Sequence, residues 1–413
     1  MTAVDASAPS RARPSRRAWW LPAVLFLAVA SAVWIDVQVS HEHMKLDGPQ
    51  QEGDPSNHDW FGGWMQFDTG WYLSIAEHGY DRHQVEAFEA GEQSAVAYFP
   101  VYPLAVRQVA RLTGEDYPLA AQLTTIACGF AVILLFWTWC GRRLTTAARR
   151  AAVLLLAFYP YAWYLYGSGY GDVLFIAFTI GAFVLLERDR PVLAGLAAAG
   201  ASATRLIGFG TVIGLIALVV ERRHALVRTA ADGPRRPWSG WRLDRSRLRL
   251  RDGGVLLGFA GIGSYCLFLW NRVGDPIAFN TVQSAYGWNQ GTGPKTWIKY
   301  SFFAQVIRGE PSYGVRLVLQ ALLCLLFVIA IPFVWKRIGA AYAVYTAVII
   351  GIPLIGTSTM QGFGRYLLSA FPVFALGGGL LADRIRLRRA VLVCSGALLF
   401  VMASFFGRGF YLS

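Results

Sequence analysis

"PVLAGLAAAGASATRLIGFGTVIGLIALVV", residues 191–220, carries a single charge, Arg205, in thirty residues. It is preceded by "ERDR" (187–190) and followed by "ERRHALVRTAADGPRRPWSGWRLDRSRLRLRD" (221–252), which holds ten Arg and four acids. Basic residues beside apolar runs mark the cytoplasmic side of a membrane protein. Both ends of the stretch therefore read as lying on the same side. One crossing takes ~20 residues and ends on the opposite side. Two short helices meeting near Thr204-Arg205 satisfy both ends, each of about 14 residues and so ~21 Å long. Arg205 then sits at a hairpin tip near the outer leaflet. A charge at membrane depth is costly and usually functional; the plainer alternative is snorkelling or a structural ion pair.

Working outward, the same logic covers the chain. Of 413 residues 55% are hydrophobic and 15% charged, against roughly 25% charged in soluble domains. The expected architecture is an all-α polytopic membrane protein with about 11 transmembrane or re-entrant helices. After a disordered cytoplasmic N-terminus (1–18), one integral-membrane domain covers 19–407, followed by a tail at 408–413. Spans are expected at 19–39, 117–140, 151–168, 170–187, the pair in 191–220, 253–272, 314–335, 338–357, 364–382 and 390–407. The basic loop 221–252 is read as cytoplasmic, and the segments 40–116 and 273–313 as extracytoplasmic. Residues 40–98 hold eleven acids against only Lys45 and Arg82, which fits that side. The net charge of +13 is placed beside spans, so it reads as a topology signal and a contact for anionic lipid rather than for nucleic acid. Cys128, Cys140, Cys266, Cys324 and Cys394 fall in apolar runs without metal spacing and read as packing residues.

No nucleotide-binding loop, zinc motif or Cys/His cluster appears. The unusual polar residues instead gather, by this topology, at one membrane face: Asp68, Glu77, His78, Arg107, Asp172, Arg205, Asp275, Gln283, Gln361 and Arg365. Aromatics accompany them, including Tyr72, Tyr98, Tyr102, Tyr164, Tyr170, Tyr286 and Trp288. An interfacial aromatic belt explains many of these, and a carbohydrate-stacking cleft is the second reading. Asp68 in "DTGWYLSIAEHG" reads as the N-cap of a short helix closed by Gly79, with Trp71 and Ile75 lying flat on the lipid interface. Arg107, at the membrane surface after "AYFPVYP", suits a phosphate.

The ordered set "FDTGWYLSIAEHGY", "AYFPVYPLAVR", "YPYAWYLYGSGYGDVLFIAF", "ATRLIGF", "GDPIAFNTVQSAYGW" and "GFGRYLLSAFPVFAL" resembles the PIG-V-like mannosyltransferases of the GT-C superfamily, over about residues 60 to 380. The resemblance implies a GT-C-like bundle with short interfacial helices in the first extracytoplasmic loop. It also implies an inverting glycosyltransferase that takes a sugar, mannose in the family's namesake, from a polyprenyl-phosphate donor. The acceptor hydroxyl of a glycan, lipid or protein would be bound outside the cytoplasm. The position matching the family's acidic general base is Asp68. Arg205 and Arg365 match the Arg of "ATRLIG" and "GRYLL" and are candidates for donor phosphate or sugar, as are Arg107, Tyr72 and Gln283. Asp172 is a further candidate for donor phosphate or sugar, at a position ("YGD") where family members often carry Glu. The scheme needs no cofactor or metal, because the lipid phosphate is already a leaving group. Two other readings remain: transfer of another polyprenyl-linked sugar such as arabinofuranose, and a transporter of lipid or sugar built on the intramembrane charges and the broken helix pair.

Overall fold

The computed structural model describes residues 19–44, 60–228, 241–285, 288, 290 and 293–412. The N-terminal residues 1–18 and Tyr286 lie outside them.

Apolar runs become the longer helices, and the described parts of the polar segments between them form short helices, turns and one strand pair. The first helix is α1 (Trp20–Met44). The acidic segment after it contains α2 (Thr69–His78), α3 (Arg82–Glu89) and α4 (Val101–Ala110). The bundle continues with α5 (Tyr117–Cys140), α6 (Thr146–Ala157), α7 (Asp172–Glu187), α8 (Pro191–Ser202), α9 (Phe209–Arg222) and α10 (Phe259–Val273). Then come the short α11 (Ala278–Thr281), α12 (Pro294–Trp297) and α13 (Tyr300–Arg308). The long α14 (Pro311–Arg337), α15 (Ala340–Gly356), α16 (Phe363–Tyr366), α17 (Phe371–Leu381) and α18 (Ile385–Gly407) complete the chain. In the basic loop β1 (Leu226–Arg228) pairs antiparallel with β2 (Trp241–Leu243), the pairing found among the described residues of this otherwise helical chain.

The expected helical membrane protein is what forms, and the stretch 191–220 breaks where its parity demands. There α8 ends at Ser202 and α9 begins at Phe209, with Arg205 in extended backbone between them (φ −153°, ψ 148°). The expected transmembrane or re-entrant segments are not all full-length crossings. Among the described residues five helices are long and apolar enough to cross a bilayer, or six if the pair 363–369 and 371–381, bent by 77°, makes one span. Several expected spans are shorter: α6 and α8 have 12 residues, α9 14, α7 16 and α15 17. These helices pack on other elements of the bundle: α8 on α7 and on residues 250–258, α6 on α17, and α9 on α15.

The expected span 151–168 is not one helix. It stops at Ala157 because Tyr159-Pro160 cannot continue it. Beyond the break the chain forms a folded insert whose Tyr161, Trp163, Tyr164, Tyr166 and Tyr170 are fully buried. An interfacial belt does not describe these aromatics; they are core. The expectation for α2 also needs correction. Ile75 is buried and Trp71 half-buried, because α2 lies on α4 and turns its apolar side into the protein instead of onto lipid.

Along α7 the bundle has two chemically distinct ends. Asp172 is the first residue of α7 and Glu187 the last, about 22 Å apart at 1.5 Å per residue. At the Glu187 end, Arg143 Nη1 donates to the carboxylate at 3.1 Å, its Nη2 and the Tyr342 hydroxyl also donate to it, and the Arg143 guanidinium stacks on Trp139 at 4.3 Å. The Asp172 end holds a second group of buried charges, Asp172 and Arg365 among them.

Candidate active site

Asp68 stands at the start of α2, but its side chain makes no capping hydrogen bond. The preceding residue explains where it points. Phe67 takes a left-handed backbone (φ 56°), a conformation that costs a non-glycine residue about 1–3 kcal/mol and persists only where the surroundings enforce it. The Phe67 ring is held against Phe406 and Tyr411, at centroid distances of 5.9 and 4.8 Å. The Asp68 backbone N–H donates to the Tyr170 hydroxyl at 3.3 Å, and that hydroxyl donates to the Gln66 carbonyl at 3.4 Å. The carboxylate thus turns away from the helix. Its Oδ2 pairs with Arg365 Nη1 at 3.1 Å and its Oδ1 accepts from the Tyr98 hydroxyl at 3.3 Å. The expected capping role gives way to an ion pair spanning 297 residues of chain.

Arg365 comes from the bend between α15 and α17. Its position depends on Gly364, where a Cβ would collide with the Tyr161 ring. Arg365 is 6% exposed and lies over the rings of Tyr170 (5.1 Å) and Tyr366 (5.3 Å). Its Nε is buried with no hydrogen-bond partner among the described residues. An unpaired guanidinium N–H in a buried site is costly and is a ready donor to an anion.

A second acid–arginine pair adjoins the first. Arg205 Nη1 binds Asp172 Oδ2, and the Arg205 guanidinium lies 5.4 Å from the same Tyr366 ring that Arg365 faces. Asp172 is 2% exposed and occupies the first turn of α7, where the helix dipole favours negative charge. Tyr72 is buried behind the pairs. Its hydroxyl lies beside Gly171, the residue before α7. The electrostatic neighbours of Tyr72 are Arg205, Asp172, Asp68 and Arg365. Burial raises the Tyr98 hydroxyl well above its ordinary pKa, and the Asp68 charge adds to that. Tyr98 is therefore held as a donor toward the carboxylate.

The structure brings Asp68, Tyr72, Asp172, Arg205 and Arg365 together. It does not bring Arg107, Gln283, Asp275 or Gln361 to them. Arg107 Nη2 donates to the Ile75 carbonyl at 3.0 Å and its Nε to that of Ala76. It therefore closes the C-terminal end of α2, about 12 Å along that helix from Asp68. Among the described residues, the Gln283 side chain reaches back to the Phe279 carbonyl, at 3.5 Å. Asp275 folds onto Ile277 and Thr281 within its own turn, and Gln361 accepts from Tyr313. Glu77 and His78 are exposed, 3.9 Å apart. They line a shallow cleft of about 380 Å³ with Glu115, Asp116 and Tyr117, and Asp68 is not part of its wall. Among the described residues no group of three or more His, Cys, Asp or Glu is arranged to hold a metal ion. Sequence reasoning passed over Tyr366, although it directly follows Arg365 in "GRYLL", and over Arg316 and Tyr411, for which no local pattern gives a signal.

No family model matches the chain, and no curated protein matches it in sequence. Solved structures with a similar course include ArnT from Cupriavidus metallidurans bound to undecaprenyl phosphate. The identity is 16% and the TM-score 0.48, over 95% of this chain and 76% of that one. The Archaeoglobus fulgidus oligosaccharyltransferase in complex with zinc and sulfate is similar at 13% identity and a TM-score of 0.49, over 93% of this chain. This chain spans about half the length of that enzyme, 53%. The archaeal oligosaccharyltransferase AglB from Archaeoglobus fulgidus, in complex with an inhibitory peptide and a dolichol-phosphate, is similar at 13% identity and a TM-score of 0.45, over 94% of this chain and 56% of that one.

Proposed function

We propose that this protein is an inverting GT-C glycosyltransferase. It transfers a sugar, mannose by the sequence resemblance, from a polyprenyl-phosphate donor to an acceptor hydroxyl at the extracytoplasmic face of the cell membrane. The observation that carries the reading is the double pair. One partly open carboxylate, Asp68 at 21% side-chain exposure, stands beside two largely buried arginines that share the Tyr366 ring.

Each residue has a task in such a reaction. Asp68 accepts the proton as the acceptor oxygen forms its bond to the anomeric carbon. The bond from that carbon to the phosphate oxygen breaks on the opposite face, and its electron pair leaves with the lipid phosphate. Attack opposite the leaving group inverts the centre. Negative charge grows on the phosphate, and fixed cations in a water-poor site stabilise that growth best. Arg365, with an unpartnered Nε, and Arg205 are the candidates for this. Asp172 holds Arg205 in place, which gives a meaning to the Asp found where the resembling family often has Glu. Arg107 supports α2 from its far end. A lipid-borne leaving group requires no nucleotide site, in keeping with the absence of such motifs from the sequence.

The test is turnover of polyprenyl-phosphate mannose by purified protein in detergent, beside a polyprenyl-phosphate arabinofuranose donor. Product from mannose alone supports the mannose reading, and product from the pentose alone replaces it with the alternative sugar. Product formed without compartments excludes a pure transporter, and no product from either donor removes the transferase reading. Labelling of Glu77→Cys, but not Arg247→Cys, by an impermeant reagent in whole cells checks the side of the membrane; the reverse pattern overturns it.

A further inference from the structure

The segment after α18 belongs to the Asp68 site. Its backbone is anchored twice from α14: Arg316 Nη1 donates to the Tyr411 carbonyl at 3.0 Å, and Gln320 Nε2 to the Leu412 carbonyl at 3.2 Å. Gln320 is 1% exposed, and its Oε1 accepts from the Gly364 N–H at 3.1 Å. One buried amide therefore fixes the tail to the residue next to Arg365. The Tyr411 ring meets Phe67 edge-on at 4.8 Å. Its hydroxyl lies within electrostatic reach of Tyr98 and Tyr170, the two tyrosines that hold Asp68.

The aromatics around Asp68 fall into two sets. Tyr72, Tyr102, Tyr164 and Tyr170 are buried and close the back of the site. Phe67 is exposed, and Tyr411, Trp71, Tyr98 and Trp288 are half-buried. Trp71 stacks on Tyr98 at 5.7 Å and meets Trp288 at 5.9 Å. The open rings form two groups, Phe67 with Tyr411 and Trp71 with Tyr98 and Trp288, and Tyr98 touches the carboxylate itself.

We infer that Tyr411 is a substrate-contacting residue: with Phe67 it forms an acceptor-side wall beside Asp68, and it orients the acceptor hydroxyl toward that carboxylate. This rests on the transferase reading. The group deprotonated by Asp68 must come to its open edge, and the donor phosphate goes to the arginines. A ring beside that edge contacts the acceptor and leaves the donor untouched. An open aromatic face with a polar tip suits a ligand that is apolar on one face and hydroxylated at its rim.

The test is steady-state kinetics of full-length protein with polyprenyl-phosphate mannose as donor and n-octyl α-mannoside as acceptor probe. Tyr411→Ala is expected to raise the acceptor KM roughly 3- to 10-fold, the effect of losing one aromatic contact, with kcat and the donor KM within about 2-fold. Tyr411→Phe restores the acceptor KM. Gln320→Ala, which frees the tail, shifts it in the same direction. An unchanged acceptor KM in Tyr411→Ala overturns the inference. So does a joint fall of kcat and rise of both KM values, the mark of a merely structural residue. Absence of turnover in the wild type removes the transferase reading and the inference with it, and is told apart from those results by that alone.

Discussion

The two ends of α7 hold two buried acid–arginine networks of opposite character. At Glu187 every strong group is matched. The carboxylate, 8% exposed, receives Arg143 through two nitrogens and the Tyr342 hydroxyl, and Arg143 is sandwiched by Trp139 and Tyr342. At Asp172 and Asp68 the matching among the described residues is incomplete: each acid has one arginine contact, Arg365 Nε is buried without a partner, and Asp68 remains partly open. A matched buried network is a structural clamp, and one of its acids even sits at a helix C-terminus, where only a cation makes it tolerable. An incomplete network is the pattern expected of a site whose missing partner is a ligand. The same residue types thus serve fold at one end and chemistry at the other, and burial alone does not distinguish them.

That comparison can be broken by substitution. Asp68→Asn keeps the shape and removes the base, so turnover of the lipid-phosphate sugar should fall by roughly 10²–10⁴-fold, measured as product per folded molecule in detergent. Near-wild-type turnover would sink the base assignment. Arg365→Ala should lower kcat by roughly 10²–10³-fold, as for loss of one charge-stabilising group. Arg365→Lys should not restore it, since lysine lacks the planar fork. Glu187→Ala should do the reverse. Breaking a buried pair costs about 3–5 kcal/mol, read as a lower melting temperature, while turnover of the folded fraction stays within about 3-fold. A catalytic defect larger than the loss of folded protein would erase the distinction between the two ends. Arg107→Ala removes charged donors from the end of α2, worth about 1.5–3 kcal/mol each, and should reduce turnover mildly by loosening that helix. A selective rise in donor KM would instead return Arg107 to the phosphate site. The smallest effect is expected of Gln283→Ala, whose turnover should stay within about 2-fold because its side chain, among the described residues, reaches its own helix turn.

Much of the molecule was legible in the chain. Apolar length and flanking arginines gave the membrane class and the break at Thr204-Arg205, because crossing parity is a constraint on sequence alone. Asp68 and Arg365 were legible as members of ordered motifs. Their contact was not, since 297 residues separate them and no local rule links positions that far apart. Asp68 looked like a cap because capping is a local pattern. It is not one, because Phe67, held by Phe406 and Tyr411 from the far end of the chain, turns the backbone. Arg107 looked suited to phosphate because exposure and charge are local, whereas the helix end that claims it comes from another segment.

The sequence by itself determined that the chain is a helical membrane protein, that the stretch 191–220 breaks near Arg205, and which charged residues are too costly to be incidental. It could do so because hydrophobic length and the price of a buried charge are properties of a residue and its near neighbours. Only the tertiary structure decided which arginine answers which acid, that the tyrosines of 159–170 are core and not belt, and that Tyr411 packs on Phe67, the residue before Asp68. Those outcomes depend on side chains meeting across the bundle, where packing and charge pairing act between segments that the sequence keeps apart.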